Sequence, residues 1–82
     1  MRAAADPTRL QILRLAAERP RTTEELVPLV GLSKSGLSKH LRVLTDAGLL
    51  SARRDGWYVL YRLEREQLEG LTAELLDWIG NP

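Results

Sequence analysis

The stretch that decides the fold is SKSGLSKHLRVL, which runs from Ser33 to Leu44. Leu37, Leu41 and Leu44 recur at helical spacing, so they predict one apolar face of an amphipathic helix. The opposite side carries only small hydroxyls and cations, contributed by Lys34, Ser35, Ser38, Lys39 and Arg42. Such a side is either ordinary solvent cover or a surface that binds an anion. The helix alone does not decide between these readings.

A short helix is predicted immediately before this stretch. Thr22 and Glu25 form a T-x-x-E capping box, in which each side chain satisfies the other's backbone amide, and this places the helix over residues 23–30. Pro28 removes one backbone hydrogen bond inside it, so we expect a kink or local 3₁₀ geometry there. Gly31 then ends the helix, because glycine adopts the left-handed conformation at little cost.

The chain continues from Gly31 into the second helix of a pair. Ser33 can cap a helix predicted over residues 34–47. Two helices joined by a short turn that contains glycine are typical of a helix-turn-helix, here over residues 22–47. An Asp-Pro start and apolar residues at helical spacing predict one more helix upstream, over residues 7–18.

Strand-like chemistry follows the helix pair. The segments LLSARR and WYVLYRL flank Asp55 and Gly56, and a D-G dipeptide between two strands favours a two-residue type I′ hairpin turn. We therefore predict a hairpin, or wing, over residues 49–63. Both alternating sets of residues 57–63 are partly apolar, so the sequence leaves open which face of that strand is buried. A final helix is predicted over residues 65–79.

Together these elements predict one mainly α domain over residues 1–82 with a small β-hairpin. This is an α+β winged helix-turn-helix in the order α-α-α-β-β-α. The final helix repeats apolar residues at spacings of three, four and three, which is typical of a seam packed against another helix. A domain this small buries only roughly 60 to 65% of its unfolded surface, so a partner subunit would stabilise it. We predict a homodimer whose interface contains Leu68, Leu71, Leu75, Trp78 and Ile79.

Charge is segregated along the chain, although the net charge is only +1. Residues 33–63 hold six Lys or Arg against two Asp, whereas residues 64–82 hold one Arg against five Asp or Glu. A basic middle and an acidic end indicate that the middle meets a polyanion. In a winged helix-turn-helix the second helix of the pair enters the major groove, so the predicted partner is double-stranded DNA. The predicted DNA-binding residues are Ser33, Lys34, Ser35, Gly36, Ser38, Lys39, His40, Arg42, Arg53 and Arg54.

Other classes of function find little support. The chain has no cysteine and a single histidine, which excludes a disulfide framework and a Cys-based zinc site. No catalytic spacing and no phosphate-cradling glycine loop is present, so we expect no enzyme activity, no cofactor and no metal. No signal-peptide core and no 18-residue apolar run occurs, so we expect a cytoplasmic protein without membrane contact. The rival hypothesis is a winged helix that serves as a protein-interaction or dimerisation module, since fold does not fix function.

The motifs ADPTRLQIL, SKSGLSKHLRVL, LTDAGLL and YRL follow one another in an order that resembles the ArsR/SmtB winged-helix repressors over nearly the whole chain. The resemblance implies a homodimeric repressor that binds an inverted repeat and releases it when an effector or metal docks. It also implies that the final helix, with one ahead of ADPTR, forms the dimer interface.

Two features of this chain depart from the family pattern. Arsenic and cadmium sensors of the family carry a C-x-C pair where this chain reads ELVPLV, and zinc sensors carry histidines on a final helix that has none here. We therefore expect neither family metal site, and the effector stays open. Only Met1 to Ala5 precede the first motif, so we expect either a short natural chain or the DNA-binding module of a longer regulator.

Overall fold

The computed structural model describes residues 6–68, and the side chains of residues 6–67. Four helices and three strands follow one another in this range. The predicted interface residues Leu71, Leu75, Trp78 and Ile79 lie outside the described residues, as does the side chain of Leu68. Of the predicted final helix, only α4, Arg65–Leu68, lies inside them.

Helix α1 spans Pro7–Glu18, which confirms the predicted limits. Asp6 caps it, because one carboxylate oxygen accepts hydrogen bonds from the backbone N–H of Thr8 at 2.8 Å and of Arg9 at 3.2 Å. At the other end α1 has no capping glycine; the guanidinium of buried Arg21 donates to the carbonyl of Leu15 at 3.0 Å and to Glu18 at 2.6 Å. Side chains thus bond to free backbone groups at both ends of α1.

Helix α2 spans Thr23–Val30, again as predicted. The capping box is present: Thr22 Oγ1 accepts from the Glu25 N–H at 3.1 Å, and Glu25 Oε1 accepts from the Thr22 N–H at 3.1 Å. Of the two effects expected at Pro28, a kink or local 3₁₀ geometry, the second is absent, since the helix stays α-helical to its end. The box fixes one end, and the left-handed Gly31, with its N–H bonded to the Val27 carbonyl at 2.9 Å, fixes the other.

Helix α3 spans Lys34–Asp46 and ends one residue before the predicted limit, with Ala47 as its C-cap. Its three leucines at positions 37, 41 and 44 are buried, as their spacing predicted. They join a core in which the most deeply buried large side chains come from α1, α2, α3 and the start of the hairpin: Ile12, Leu13, Leu26, Leu37, Leu41, Leu44 and Leu49.

The sheet has three antiparallel strands in the order β1-β3-β2. Strands β2, Leu50–Asp55, and β3, Tyr58–Leu63, form the predicted wing. Strand β1, Arg21–Thr22, was not predicted, because two residues show no alternation. It pairs with β3 at Tyr61 and Leu60 and joins the start of the helix-turn-helix to the base of the wing.

The hairpin turn differs from the prediction by one position. Asp55 pairs with Tyr58, so the two loop residues are Gly56 and Trp57 rather than Asp55 and Gly56. Among the described residues only glycines have positive φ, and Gly56 has φ of 62°. A positive φ at the first loop residue alone matches type II′, not the predicted type I′. The observed register places Leu50 opposite Leu63, where both side chains reach the core.

The same register answers which face of the second wing strand is buried. Val59, Tyr61 and Leu63 share the face that carries Leu50, and Tyr61 packs against the core. The other face of β3 carries Tyr58, Leu60 and Arg62.

None of the helices between residues 6 and 68 is long and apolar enough to cross a membrane.

The core predicts how two leucines respond to truncation. Leu41→Ala should lower the free energy of unfolding by about 2–5 kcal/mol, because the substitution leaves a cavity beneath α3. Leu29→Ala is the matched control, since Leu29 is 46% exposed and its truncation should change the free energy by no more than about 0.5 kcal/mol. Urea unfolding followed by circular dichroism measures both values. Similar losses in the two variants would contradict this description of the core.

Candidate nucleic-acid interface

The exposed side of α3 lies opposite its buried leucines. Ser35, Ser38, Lys39 and Arg42 are all exposed, as the sequence predicted. Two further exposed residues follow on the last turns: Val43, which is 36% exposed, and the carboxylate Asp46. The side is therefore free of carboxylates over the first two and a half turns of α3, where a recognition helix meets base edges, and acidic only at its end.

The amino end of α3 is held by hydroxyl groups. Ser33 Oγ accepts from the Gly36 N–H at 3.2 Å and lies 3.3 Å from Ser35 Oγ. A Cβ added at Gly36 would lie 3.3 Å from Ser33 Oγ, closer than such contacts ordinarily are. The glycine thus leaves room for the cap, which is a structural reason for its presence beside the predicted role in DNA approach. Ser38 Oγ donates to the Lys34 carbonyl at 2.9 Å, so its hydroxyl proton is engaged within the helix.

Lys34 and His40 lie on the two flanks of α3, between its buried and exposed sides. Lys34 Nζ is 3.8 Å from Glu24 Oε2 on α2, and both side chains are more than half exposed. An exposed pair of this kind contributes about 0–1 kcal/mol, so a phosphate can compete with Glu24 for the lysine. His40 is half-buried, and its Nδ1 accepts a hydrogen bond from Nε of Arg9 on α1 at 3.2 Å.

His40 was among the residues predicted to bind DNA, whereas Arg9 was not. The structure turns His40 toward α1 rather than into the exposed row of Ser35, Lys39 and Arg42. The only signal in the sequence was the presence of the ADPTR and SKHL motifs in one chain. Neither motif reveals that its Arg and its His meet across 31 residues.

On the wing, Arg53 and Arg54 are both exposed but lie on opposite faces of the hairpin. Arg53 stands opposite Leu60, whereas Arg54 stands opposite Val59 on the face that continues into the core. At the apex Trp57 is 96% exposed. The wing thus carries one arginine on each face and an exposed tryptophan side chain at its tip.

Two carboxylates near this region, Asp6 and Glu25, are occupied in capping. The hydrogen bond from the Arg9 backbone N–H lowers the pKa of Asp6 below 3.8, and the Thr8 N–H and the Arg9 charge act in the same direction. The hydrogen bond from the Thr22 backbone N–H likewise lowers the pKa of Glu25. Within residues 6–68 no three His, Asp or Glu side chains are grouped so that they could hold a metal ion.

Comparison with known proteins identifies the family. The family model of the bacterial regulatory proteins of the arsR family matches residues 6–52, which hold α1, the helix-turn-helix and the start of the wing. The chain belongs to the ArsR family. The recognised motifs and the described fold therefore agree with the resemblance found in the sequence.

Individual relatives of this ArsR-family chain are regulators. A probable mercury resistance operon repressor from Streptomyces lividans is 47% identical over 60 residues, which cover 73% of this chain and 48% of that protein. The crystal structure of a possible transcriptional regulator for arsenical resistance is 39% identical, with a TM-score of 0.82 over 93% of this chain and 78% of the other.

A third relative is known in solution. The homodimeric winged helix-turn-helix DNA-binding domain of a possible ArsR-family regulator from Mycobacterium bovis is 35% identical, with a TM-score of 0.80 over 92% of this chain and 69% of the other. The ArsR-family chain spans between 48% and 61% of the length of the first curated relatives that it matches.

The cap at Asp6 predicts a pH dependence of stability. Because the pKa of Asp6 is lower in the folded protein, its charge stabilises the fold above the unfolded pKa of about 3.8, and this contribution is lost as the pH falls through the folded pKa. Asp6→Asn keeps a capping side chain without the charge. The variant should be less stable than the parent chain at pH 7, and the difference should shrink as the pH falls through the folded pKa of Asp6. Thermal unfolding across pH measures it; a constant difference would contradict the assignment.

Proposed function

We propose that this ArsR-family chain is the DNA-binding part of a transcriptional repressor and that it binds double-stranded DNA through α3 and the wing. The observation that carries this proposal is the division of α3 into a buried leucine side and an exposed side with Ser35, Lys39 and Arg42. A helix so divided can lie in the major groove with its exposed row toward the bases. The probable mercury resistance operon repressor from Streptomyces lividans supports the assignment as a repressor.

Each part of the exposed surface suits a different contact. Arg42 can bond to the O6 and N7 atoms of guanine, and Lys39 can reach a guanine edge or a phosphate. The amino end of α3 suits a phosphate, because its free backbone N–H groups carry positive partial charge. On the wing, Arg53 and Arg54 on opposite faces suit the two walls of a minor groove. Every neutralised phosphate releases counterions, so affinity should fall steeply with salt.

We further propose that the repressor acts as a homodimer on an inverted repeat. The seam of apolar residues predicted at Leu68, Leu71, Leu75, Trp78 and Ile79 supports this, as does the homodimeric state of the relative from Mycobacterium bovis. In a two-fold dimer the two copies of α3 would enter successive major grooves about 34 Å apart, which matches one helical turn of DNA.

The exposed cations of α3 predict the effect of their removal. Lys39→Ala and Arg42→Ala should each weaken binding to the preferred DNA about tenfold, while the unfolding temperature stays within a few degrees. The DNA is obtained by selecting duplexes from a random library with the parent chain, and affinity is measured by fluorescence anisotropy. Arg19→Ala is the matched control, because Arg19 is exposed but paired with Glu25 at 3.0 Å and lies beyond the end of α1. It should bind with unchanged affinity.

Two outcomes would overturn the proposed function. One is the failure of the parent chain to enrich any duplex from the library. The other is full affinity in the Lys39→Ala, Arg42→Ala double variant. Either would favour the rival reading, a winged helix that serves as a protein-interaction or dimerisation module.

The seam predicts the oligomeric state. Leu71→Glu combined with Leu75→Glu should convert the dimer to a monomer, because buried carboxylates without partners destabilise an interface. Leu29→Glu is the control, since Leu29 is an exposed leucine outside the seam. Sedimentation velocity distinguishes the two states. If the double variant still sediments as a dimer, the final helix is not the main interface.

A further inference from the structure

The hydrogen bond between Arg9 and His40 joins α1 to α3, the helix proposed to lie in the major groove. Nε of Arg9 lies 3.2 Å from Nδ1 of His40, and the pair is partly buried between α1 and α3. The two residues of this hydrogen bond are 31 positions apart in the chain. The proposed DNA contacts of α3 make no use of it.

The chemistry of the pair fixes the state of the imidazole. An arginine Nε carries a hydrogen and has no lone pair to offer, so Arg9 must be the donor. Nδ1 of His40 must then be the acceptor, so in this contact the ring hydrogen lies on Nε2. The Arg9 backbone is itself held at the start of α1, because its N–H donates to Asp6 at 3.2 Å. The cap at Asp6 thus fixes the backbone of the residue whose side chain donates to His40.

The position of His40 on α3 gives the bond its effect. His40 lies three residues after Leu37 and four before Leu44, so it borders the buried side of the helix. On the other flank Lys34 reaches Glu24 on α2 over 3.8 Å. α3 therefore has a polar contact to α1 on one side of its leucines and a polar contact to α2 on the other. Both contacts oppose rotation of α3 about its own axis.

Small rotations matter at the surface of a helix. A side-chain atom about 6 Å from the axis moves by about 2 Å when the helix turns by roughly 20°. A displacement of that size breaks a hydrogen bond to a base edge, which needs about 2.7–3.2 Å between donor and acceptor. A phosphate contact made by a long, flexible lysine or arginine tolerates the same displacement more easily.

We propose that Arg9 is a positioning residue for DNA recognition, which acts through His40 to set the rotation of α3 and thereby the discrimination between the preferred DNA and unrelated DNA. This inference rests on the proposed function. It differs from a direct phosphate contact by Arg9, which would contribute to binding of any sequence and to its salt dependence.

Substitutions at both ends of the bond test the proposal. Arg9→Ala and His40→Phe each remove the bond, and the phenyl ring keeps the size of the imidazole without an acceptor. Both should lower affinity for the selected duplex about tenfold and for a scrambled duplex less than twofold. His40→Asn is the matched control, because an amide oxygen can replace Nδ1 as acceptor and Asn and His have similar helix propensity. It should retain most of the discrimination.

The double variant shows whether Arg9 acts through His40. Arg9→Ala with His40→Phe should bind the selected duplex no more weakly than either single variant, since all three lack the same bond. Losses that multiply would overturn the proposal. So would equal losses on selected and scrambled duplex with a salt slope smaller by about one, because that result identifies Arg9 as a phosphate contact.

A measurement without DNA keeps the inference separate from the proposed function. His40 is the single histidine of the chain, so long-range ¹H–¹⁵N correlation spectra report its tautomer without overlap. The parent chain should show hydrogen on Nε2, and the Nδ1 resonance should shift in Arg9→Ala, because the variant lacks the hydrogen bond to that nitrogen. Hydrogen on Nδ1 in the parent chain would overturn the proposal even if DNA binds. If the tautomer is as expected but no duplex is selected, the proposed function fails instead.

Discussion

The burial of one side of α3 is the constraint on which the rest of the structure depends. Leu37, Leu41 and Leu44 are at most 2% exposed, and turning them toward water would cost about 1.5–3 kcal/mol for each side chain. Because the helical period is fixed, their burial determines which residues face outward. The burial of the three leucines therefore places Lys39 and Arg42 on the exposed side of α3. The flanking polar contacts act within the range of rotation that the leucines allow.

Local chemistry explains why the helix limits could be predicted closely. The caps at Asp6, Thr22 and Ser33 each depend on a side chain and a backbone amide two or three residues apart, so the sequence contains the whole interaction. The hairpin turn was misplaced because its register depends on a pairing across the sheet. Leu50 and Leu63 stand directly opposite each other only when Gly56 and Trp57 form the loop.

The same contrast between local and long-range interactions decides which features of the candidate site were predictable. The exposure of Ser35, Lys39 and Arg42 follows from periodicity and was predictable. The contact of His40 with Arg9 was not, since it requires the crossing of two helices that are distant in sequence. The sequence also grouped Arg53 with Arg54, although alternation along a strand separates neighbours onto opposite faces.

The two-residue strand β1 has a consequence for the behaviour of the chain at high concentration. A strand edge with free N–H and C=O groups is a template for pairing with another chain, which leads to aggregation. β1 covers part of one edge of the sheet, at Leu60 and Tyr61. The other edge, β2, ends in Arg53, Arg54 and Asp55, and charged side chains at an edge disfavour such pairing. Arg53 and Arg54, which are proposed to bind DNA, thus also disfavour edge-to-edge pairing between free molecules.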